Sequence, residues 1–264
     1  MTSDGAGTGG DGDGGRGGGL AGRAVIVVGA SSGIGAATAH AAAAAGARVG
    51  VIARRAERLD ELVGALDGTG HAAAAADVTD PDALRAAVDA LAARLGEPLH
   101  GVVAAAGVMS LGSVVDTDPA RWREILDVNV AGLLATARSA LLHLGPGGTF
   151  VVVSSMSGRR VASAAGGVYA ASKHAAHAVA ETLRLEAGPR GIKVSTVSPG
   201  FVATDLVADE AADDDDTARF EERMHDQGLA PADVAAGIVH LLGLPPEVAV
   251  VEYAVASVRQ LGHR

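Results

Sequence analysis

Apolar positions follow two rhythms along this chain. Short unbroken apolar runs alternate with longer stretches in which apolar residues recur every three or four positions. The runs predict buried strands at Ala24–Val28, Arg48–Ala53, His71–Ala76, Gly101–Ala106, Thr149–Val153, Ile192–Val197 and near Val250–Val255. The longer stretches predict helices at Ile34–Ala45, Ala56–Leu66, Pro81–Leu95, Pro119–Leu144, Gly166–Ala187 and near Ala232–Leu242. Leu84, Val88, Leu91 and Leu95 mark one such helical face, and Asp118-Pro119 reads as a cap followed by a first-turn proline. Strands of five or six residues alternating with helices imply parallel βαβ units with right-handed crossovers. The expected fold is therefore α/β: one doubly wound parallel sheet with helices on both faces and ligands beyond the carboxyl ends of its strands.

Two segments break the pattern. Residues 1–22 are mostly Gly with Asp, Thr and Ala, offer almost nothing to bury, and read as a disordered tail ahead of a catalytic domain at 23–264. Residues 204–228 carry Asp209-Glu210 and the run Asp213–Asp216. They read as a solvated loop and, where they lie over the sheet's ligand end, as a lid over substrate.

Composition narrows the classes. The 264 residues are 48% hydrophobic, enough for one domain with a large core. A net charge of −10, from 21 Lys+Arg against 31 Asp+Glu, argues against a nucleic-acid partner. The chain has no cysteine, which removes disulfides, thiolate metal sites and cysteine nucleophiles. No apolar run reaches the roughly 18 residues of a membrane span. The start, Met1-Thr-Ser-Asp-Gly, lacks the order of a secretion signal, so a cytoplasmic location is expected.

The candidate chemistry begins at Gly29-Ala-Ser-Ser-Gly33-Ile34-Gly35, between the first strand and the first helix. Glycines there allow a tight turn, close approach of a phosphate and close helix–sheet packing, while the helix N-terminus presents unpaired N–H groups. Ser31 and Ser32 add hydroxyl donors. Arg54 and Arg55 follow the second strand, where an acid would accept from a ribose 2′-OH; two guanidiniums instead suit a 2′-phosphate and hence NADP(H). Only two tyrosines occur, and one opens Tyr169-Ala-Ala-Ser-Lys173. Four residues apart on a helix, the phenol and ammonium share a face, and the cation is expected to lower the tyrosine pKa toward the working range.

From about Leu20 to Gln260 the chain resembles the short-chain dehydrogenase/reductase family. The resemblance rests on an ordered set: Gly29-x-x-x-Gly33-x-Gly35, Asp77-Val78, Asn129, Ser155, Tyr169-x-x-x-Lys173 and Ser198-Pro199-Gly200. It implies a Rossmann-like fold with Tyr169 as acid/base, Ser155 polarising the substrate oxygen, and Lys173 holding the nicotinamide ribose. Asn129 would hold a water that relays protons to Lys173. It further implies that Asp77 and Val78 contact the adenine end, that Ala105 and Gly107 lie along the coenzyme, and that Pro199, Gly200, Val202 and Thr204 touch the nicotinamide amide and diphosphate. Met109, Met156, Ala164 and Phe201 are the expected substrate contacts, forming a largely apolar pocket for a small carbonyl or alcohol.

Two departures stand out. The family's Asn-Asn-Ala-Gly reads Ala104-Ala105-Ala106-Gly107 here, and its usual threonine before the first glycine is Val28. Each loses a hydrogen bond, which bears on local rigidity and coenzyme affinity. The segment Leu229–Tyr253 is similar to an NADP-dependent branch that includes serine and 3-hydroxy acid dehydrogenases and the clavulanate-pathway aldehyde reductase. A GC-rich coding style suggests secondary metabolism. A homodimer or homotetramer follows from the resemblance, through the helices Pro119–Leu144 and Gly166–Ala187. An NADP(H) sensor, or an epimerase or dehydratase on the same scaffold, remains an alternative. Trp122 and Tyr253 read as packing residues, and His174 and His177 as surface residues with no metal partners.

Overall fold

The structure is a computed structural model and describes residues 19–204 and 215–261. Seven strands form one parallel sheet in the order β3-β2-β1-β4-β5-β6-β7. They are β1 (Ala24–Val28), β2 (Arg48–Ala53), β3 (Ala72–Ala75), β4 (Leu99–Ala104), β5 (Leu144–Val153), β6 (Lys193–Pro199) and β7 (Glu252–Val255). The connecting helices are α1 (Gly33–Ala44), α2 (Ala56–Ala65), α3 (Pro81–Leu95), α4 (Pro119–Leu126), α5 (Gly132–Ala140), α6 (Gly167–Ala187), α7 (Asp215–Gln227), α8 (Pro231–Leu242) and α9 (Val258–Leu261).

The strand pleat sends alternate side chains to two separate cores. Ile26, Val28, Val102, Phe150 and Val152 pack against α3, α5 and α6. Val25, Val27, Val103 and Val151 pack against α1, α2 and α8. Burial on both faces is why the strands are continuous apolar runs rather than alternating ones. β1 pairs with β2 on one side and β4 on the other (Val25 opposite Val49 and Gly101), so the chain reverses direction across the sheet at that point. The crevice beyond the carboxyl ends of β1 and β4 is where such folds hold a ligand.

The largest departures from the expected boundaries are these. The tail expected at 1–22 ends sooner: Leu20 is 1% exposed inside the core of α1 and α2, and the Gly22 N–H donates to the Gly46 carbonyl at 2.8 Å. One leucine in a glycine-rich segment gives no periodicity to read. The rest of that tail, residues 1–18, lies outside the described residues. The helix expected at Pro119–Leu144 is α4 and α5 joined by a π-helical turn, Asp127–Ala131, and β5 already begins at Leu144. A π turn adds one residue per turn, which leaves apolar spacing almost unchanged. β4 lies two residues before the expected run, leaving Ala105 and Ala106 past the strand end.

The expected 204–228 loop contains α7, whose Phe220 and Met224 sit four residues apart; residues 205–214, with Asp209, Glu210, Asp213 and Asp214, lie outside the described residues. Tyr253 packs against the core of α8, its ring filling the space a side chain at Gly237 would take. Trp122 is partly buried on α4, with its Nε1 unpaired. Among the described residues no helix is long and apolar enough to cross a membrane.

Candidate active site

A cleft of about 590 Å³ opens across the carboxyl ends of the central strands. Its floor at one end is the glycine turn. Gly29 has φ +86°, and a Cβ there would collide with the Ala106 backbone; one at Gly35 would collide with the Gly29 carbonyl. Both positions therefore require glycine, which presses α1 onto the sheet. Ser32 caps α1 without a side-chain hydrogen bond, and the first turn holds no acid. The positive end of α1 thus faces the cleft with its N–H groups available to an anion. Ser31, Gly33 and Ile34 complete this wall.

The arginines lie at the rim beside it. Arg55 donates to the Ser31 Oγ at 2.9 Å, and Arg54 pairs with Asp77 at 3.9 Å, both largely exposed. Val78 is buried and packs over Gly132, where an added Cβ would be 2.8 Å from its Cγ2. Ala105 is tied to β1, its N–H donating to the Val28 carbonyl at 2.8 Å, so the main chain keeps this edge in place where the usual asparagines are missing.

The reactive end is assembled from β5 and α6. Tyr169 and Lys173 are each 6% exposed on the inward face of α6, and the Lys173 Nζ lies 5.6 Å from the Tyr169 ring centroid. The Ser155 hydroxyl, just beyond β5, hydrogen-bonds Tyr169. Lys173 donates to the Val153 carbonyl at 3.2 Å. Asn129 sits in the π turn. Its Oδ1 accepts from the Val108 N–H at 2.9 Å, and its Nδ2 donates to the Val108 carbonyl at 2.9 Å and to the Ser172 Oγ at 3.0 Å. It lines a void of about 10 Å³ behind Lys173 rather than the main cleft, and that volume is about one water. A Cβ on Gly107 would stand 3.4 Å from both the Asn129 Oδ1 and the Lys173 Nζ, so the bare glycine keeps those two groups accessible from the cleft.

Burial overturns one expectation. It pushes the Tyr169 pKa up to about 12, and the Ser155 hydrogen bond offsets this only in part. Burial likewise lowers Lys173 to about 8. Proximity of the cation does not bring the phenol toward neutrality, because taking the phenolate out of water costs more. At neutral pH Tyr169 is a phenol and Lys173 is mostly an ammonium. Tyr169 is thus poised to donate a proton rather than to accept one.

Pro199, Gly200, Phe201, Val202 and Thr204 line the facing wall. The Gly200 N–H donates to the Val255 carbonyl at 2.8 Å, and the Phe201 N–H donates to the Gln260 Oε1 at 2.9 Å. Met109 and Met156 also line the cleft, whereas Ala164 is exposed in the turn before α6 and Ala162 takes the expected position. The chain leaves the cleft after Ala162, which residue spacing alone does not reveal.

Phe220 and Met224 lie in the 204–228 stretch expected over substrate and reach the cleft from α7, whereas sequence reasoning missed Gln260, which reaches it from α9. Only the four-residue spacing of Phe220 and Met224 hinted at a helical face. It also misplaced His177, which is half-buried one turn past Lys173. Its ring hydrogen-bonds the Ser155 backbone carbonyl and lies 3.3 Å from the Ser198 Oγ, which donates to Glu252 at 2.8 Å. Burial lowers its pKa, with Glu252 opposing. His174 is exposed as expected. Among the described residues no cluster of His, Asp or Glu could hold a metal.

The chain is similar to known proteins. The chain is 38% identical over 235 residues to glycine betaine reductase ATRR of Emericella nidulans, covering 87% of this chain but only 18% of that much longer protein. It is 38% identical over 188 residues to galactitol 2-dehydrogenase (L-tagatose-forming) of Cereibacter sphaeroides, covering 68% of this chain and 71% of the relative. A short chain dehydrogenase from Burkholderia cenocepacia J2315, solved in complex with NADP, superposes with a TM-score of 0.80 at 34% identity, over 91% of this chain and 99% of that one. The family profile described as short chain dehydrogenase matches residues 23–215. The protein belongs to the short-chain dehydrogenase/reductase family, oxidoreductases that use a nicotinamide coenzyme to interconvert carbonyls and alcohols.

Proposed function

We propose that the protein is an NADP(H)-dependent oxidoreductase that reduces a ketone or aldehyde, and reversibly oxidises the alcohol, with Ser155, Tyr169, Lys173 and Asn129 as its reactive set. The carrying observation is the Ser155–Tyr169 hydrogen bond beside a buried Lys173, at the end of a cleft floored by a glycine turn.

The residues fit a phosphorylated dinucleotide. The uncapped, acid-free N-terminus of α1 suits a diphosphate, and Arg54 and Arg55 beside Ser31 suit a 2′-phosphate. Asp77 and Val78 would meet the adenine, with Ala105 and Gly107 beneath the nicotinamide half. Pro199, Gly200, Val202 and Thr204 would face the amide and diphosphate. When bound, the coenzyme supplies or accepts the hydride.

The chain's own residues handle the oxygen and its proton. The Ser155 and Tyr169 hydroxyls, already bonded to each other, form a two-donor site for the substrate oxygen. As negative charge builds there, Ser155 donates a hydrogen bond and Tyr169 gives up its proton. A pKa near 12 keeps the phenol protonated throughout the neutral range, ready to donate to the substrate oxygen. Lys173 then stabilises the phenolate, and the small void shared with Asn129 offers a water route for reprotonation. Burial excludes bulk solvent and strengthens each of these interactions. Exposed Leu126, Leu134 and Leu185 on α4, α5 and α6 support a homodimer or homotetramer.

The test is consumption of NADPH, followed at 340 nm, with a panel of ketones and aldehydes. Wild type should prefer NADPH to NADH, and Arg55→Asp should erase that preference. Tyr169→Phe should bind NADPH and turn nothing over. Full activity in Tyr169→Phe would defeat the assignment. Binding of NADPH by wild type without turnover would instead favour a sensor, and conversion of substrate without net NADPH change an epimerase or dehydratase.

A further inference from the structure

Large soft side chains are scarce in this protein, and they are gathered in one place. The chain has four methionines, three phenylalanines and one tryptophan. Apart from Met1, every methionine lines the cleft: Met109, Met156 and Met224. Two of the three phenylalanines, Phe201 and Phe220, line it as well. None of these five belongs to either sheet core, which are built from Ala, Val, Leu, Ile and a single Phe150. Filling the interior therefore does not account for them.

They converge from separate elements. Met109 follows β4, Met156 follows β5, Phe201 follows β6, and Phe220 and Met224 ride on α7. Met109 and Met224 are 6% and 4% exposed, so they form the inner surface of the cleft rather than its rim. Phe201 and Phe220 meet edge to face with centroids 5.3 Å apart, and the Arg223 guanidinium covers Phe201 at 5.9 Å. Met156 adjoins Ser155, so this surface begins beside the hydroxyl pair that takes the reacting oxygen.

Such a wall selects by chemistry. Each hydroxyl of a sugar or polyol would lose its water and meet thioether or ring in return, an uncompensated cost. An alkyl chain meets a surface that deforms to fit it, because methionine is unbranched and polarisable. The charged groups near that wall are Arg223, which covers Phe201, an Arg121–Glu124 pair at 3.2 Å and the exposed Arg160.

We infer that the substrate is an extended apolar carbonyl compound, carrying an alkyl or aryl group of several carbons, rather than a sugar, polyol or short hydroxy acid. This rests on the proposed reductase reading and specifies its substrate class. The reaction balances with the coenzyme named there: hydride from NADPH forms the C–H bond, the carbonyl π pair goes to oxygen, and the Tyr169 proton completes the alcohol.

The test uses the full chain with NADPH and the series 2-butanone, 2-hexanone, 2-octanone and 2-decanone, with L-tagatose as the polar probe. Burial of one methylene corresponds to about a fourfold gain in kcat/KM, so efficiency should climb by about that factor per carbon until the wall is covered. L-Tagatose should fall at least about 100-fold below 2-hexanone, the scale on which an unmatched polar group is rejected. Phe220→Ser should flatten the slope and Phe220→Leu should keep it, which separates loss of apolar surface from loss of fold. A flat series with efficient use of L-tagatose would overturn the inference and leave the reductase reading standing. Saturable binding of 2-decanone with no NADPH consumed would refute the reductase reading and leave the apolar assignment standing. Neither binding nor turnover of any ketone would overturn both.

Discussion

Lys173 is the residue at which function and stability pull hardest against each other. Its ammonium is buried, and burial lowers its pKa from 10.5 to about 8. That displacement corresponds to about 3 kcal/mol of destabilisation at neutral pH, where both folded and unfolded chains carry the charge. Lys173→Met removes the buried charge and keeps most of the apolar stem. It also removes the hydrogen bond to the Val153 carbonyl, worth about 1 kcal/mol. The net expectation is a variant about 2 kcal/mol more stable than wild type and nearly inactive. At this chain length the gain is about 4–8 °C in Tm.

The pH dependence supplies a second reading. The unfolded chain holds the Lys173 proton up to about 10.5 and the folded chain only to about 8, so wild-type stability gains from this group as pH rises through that window. The variant lacks that rise, so the two curves should cross a little below pH 10, where the remaining charge penalty falls to the roughly 1 kcal/mol of the lost hydrogen bond. Thermal melts and urea titrations without added coenzyme, from pH 7 to 10.5, measure both effects. A Lys173→Met protein less stable than wild type at pH 7 would refute the reasoning, as would parallel pH curves.

Three further outcomes follow from other sites. Gly35→Ala should abolish coenzyme binding and lower Tm, because its Cβ meets the Gly29 carbonyl; Gly64→Ala on the exposed side of α2, where a Cβ meets nothing, should stabilise by about 1 kcal/mol. A coenzyme titration and a melt on each variant decide this, and equal behaviour would count against the turn geometry. At His143 burial acts to lower the pKa, but hydrogen bonds to Asp89 and Glu97 outweigh it and leave it raised. Its contribution is complete below about pH 6.5 and fades as pH rises past the folded value, so His143→Gln should lose stability at pH 6 more than at pH 8 in paired urea melts. His177→Ala releases the Ser155 carbonyl and should lower kcat by about fivefold, the worth of one hydrogen bond, while the NADPH Kd from fluorescence titration stays put; an unchanged kcat would remove His177 from any part in holding Ser155.

The elements carried mainly by local chemistry were legible in the sequence. Continuous apolar runs gave β1 and β2 to the residue, since a strand buried on both faces is filled mostly by apolar side chains. The spacing of Leu84, Val88, Leu91 and Leu95 gave α3, and the structure adds its cap, the Asp80 side chain accepting from the Asp82 and Ala83 N–H groups. The glycine turn was legible because Gly29 and Gly35 serve close approach of backbones, a demand no other residue meets. Asn129, Ser155, Tyr169 and Lys173 were legible as an ordered set, and the structure draws Ser155, Tyr169 and Lys173 to one end of the cleft with Asn129 just behind.

What the sequence could not supply depends on distance through space. The upward displacement of Tyr169 arises from the layers that bury it, and no i,i+4 spacing reports a desolvation cost. His177 read as a surface residue because its partners, Ser155, Ser198 and Glu252, come from three other segments. The π turn at Asp127–Ala131 is a one-residue insertion that leaves hydrophobic spacing nearly intact while redirecting Asn129 inward. Residue types and their order thus determined the sheet, the glycine turn and the identity of the reactive groups, because these rest on local sterics and on which side chains bear protons. Only tertiary packing decided their protonation, their supporting contacts and the convergence of Met109, Met156 and Met224 on one wall, because those depend on which segments exclude water from one another.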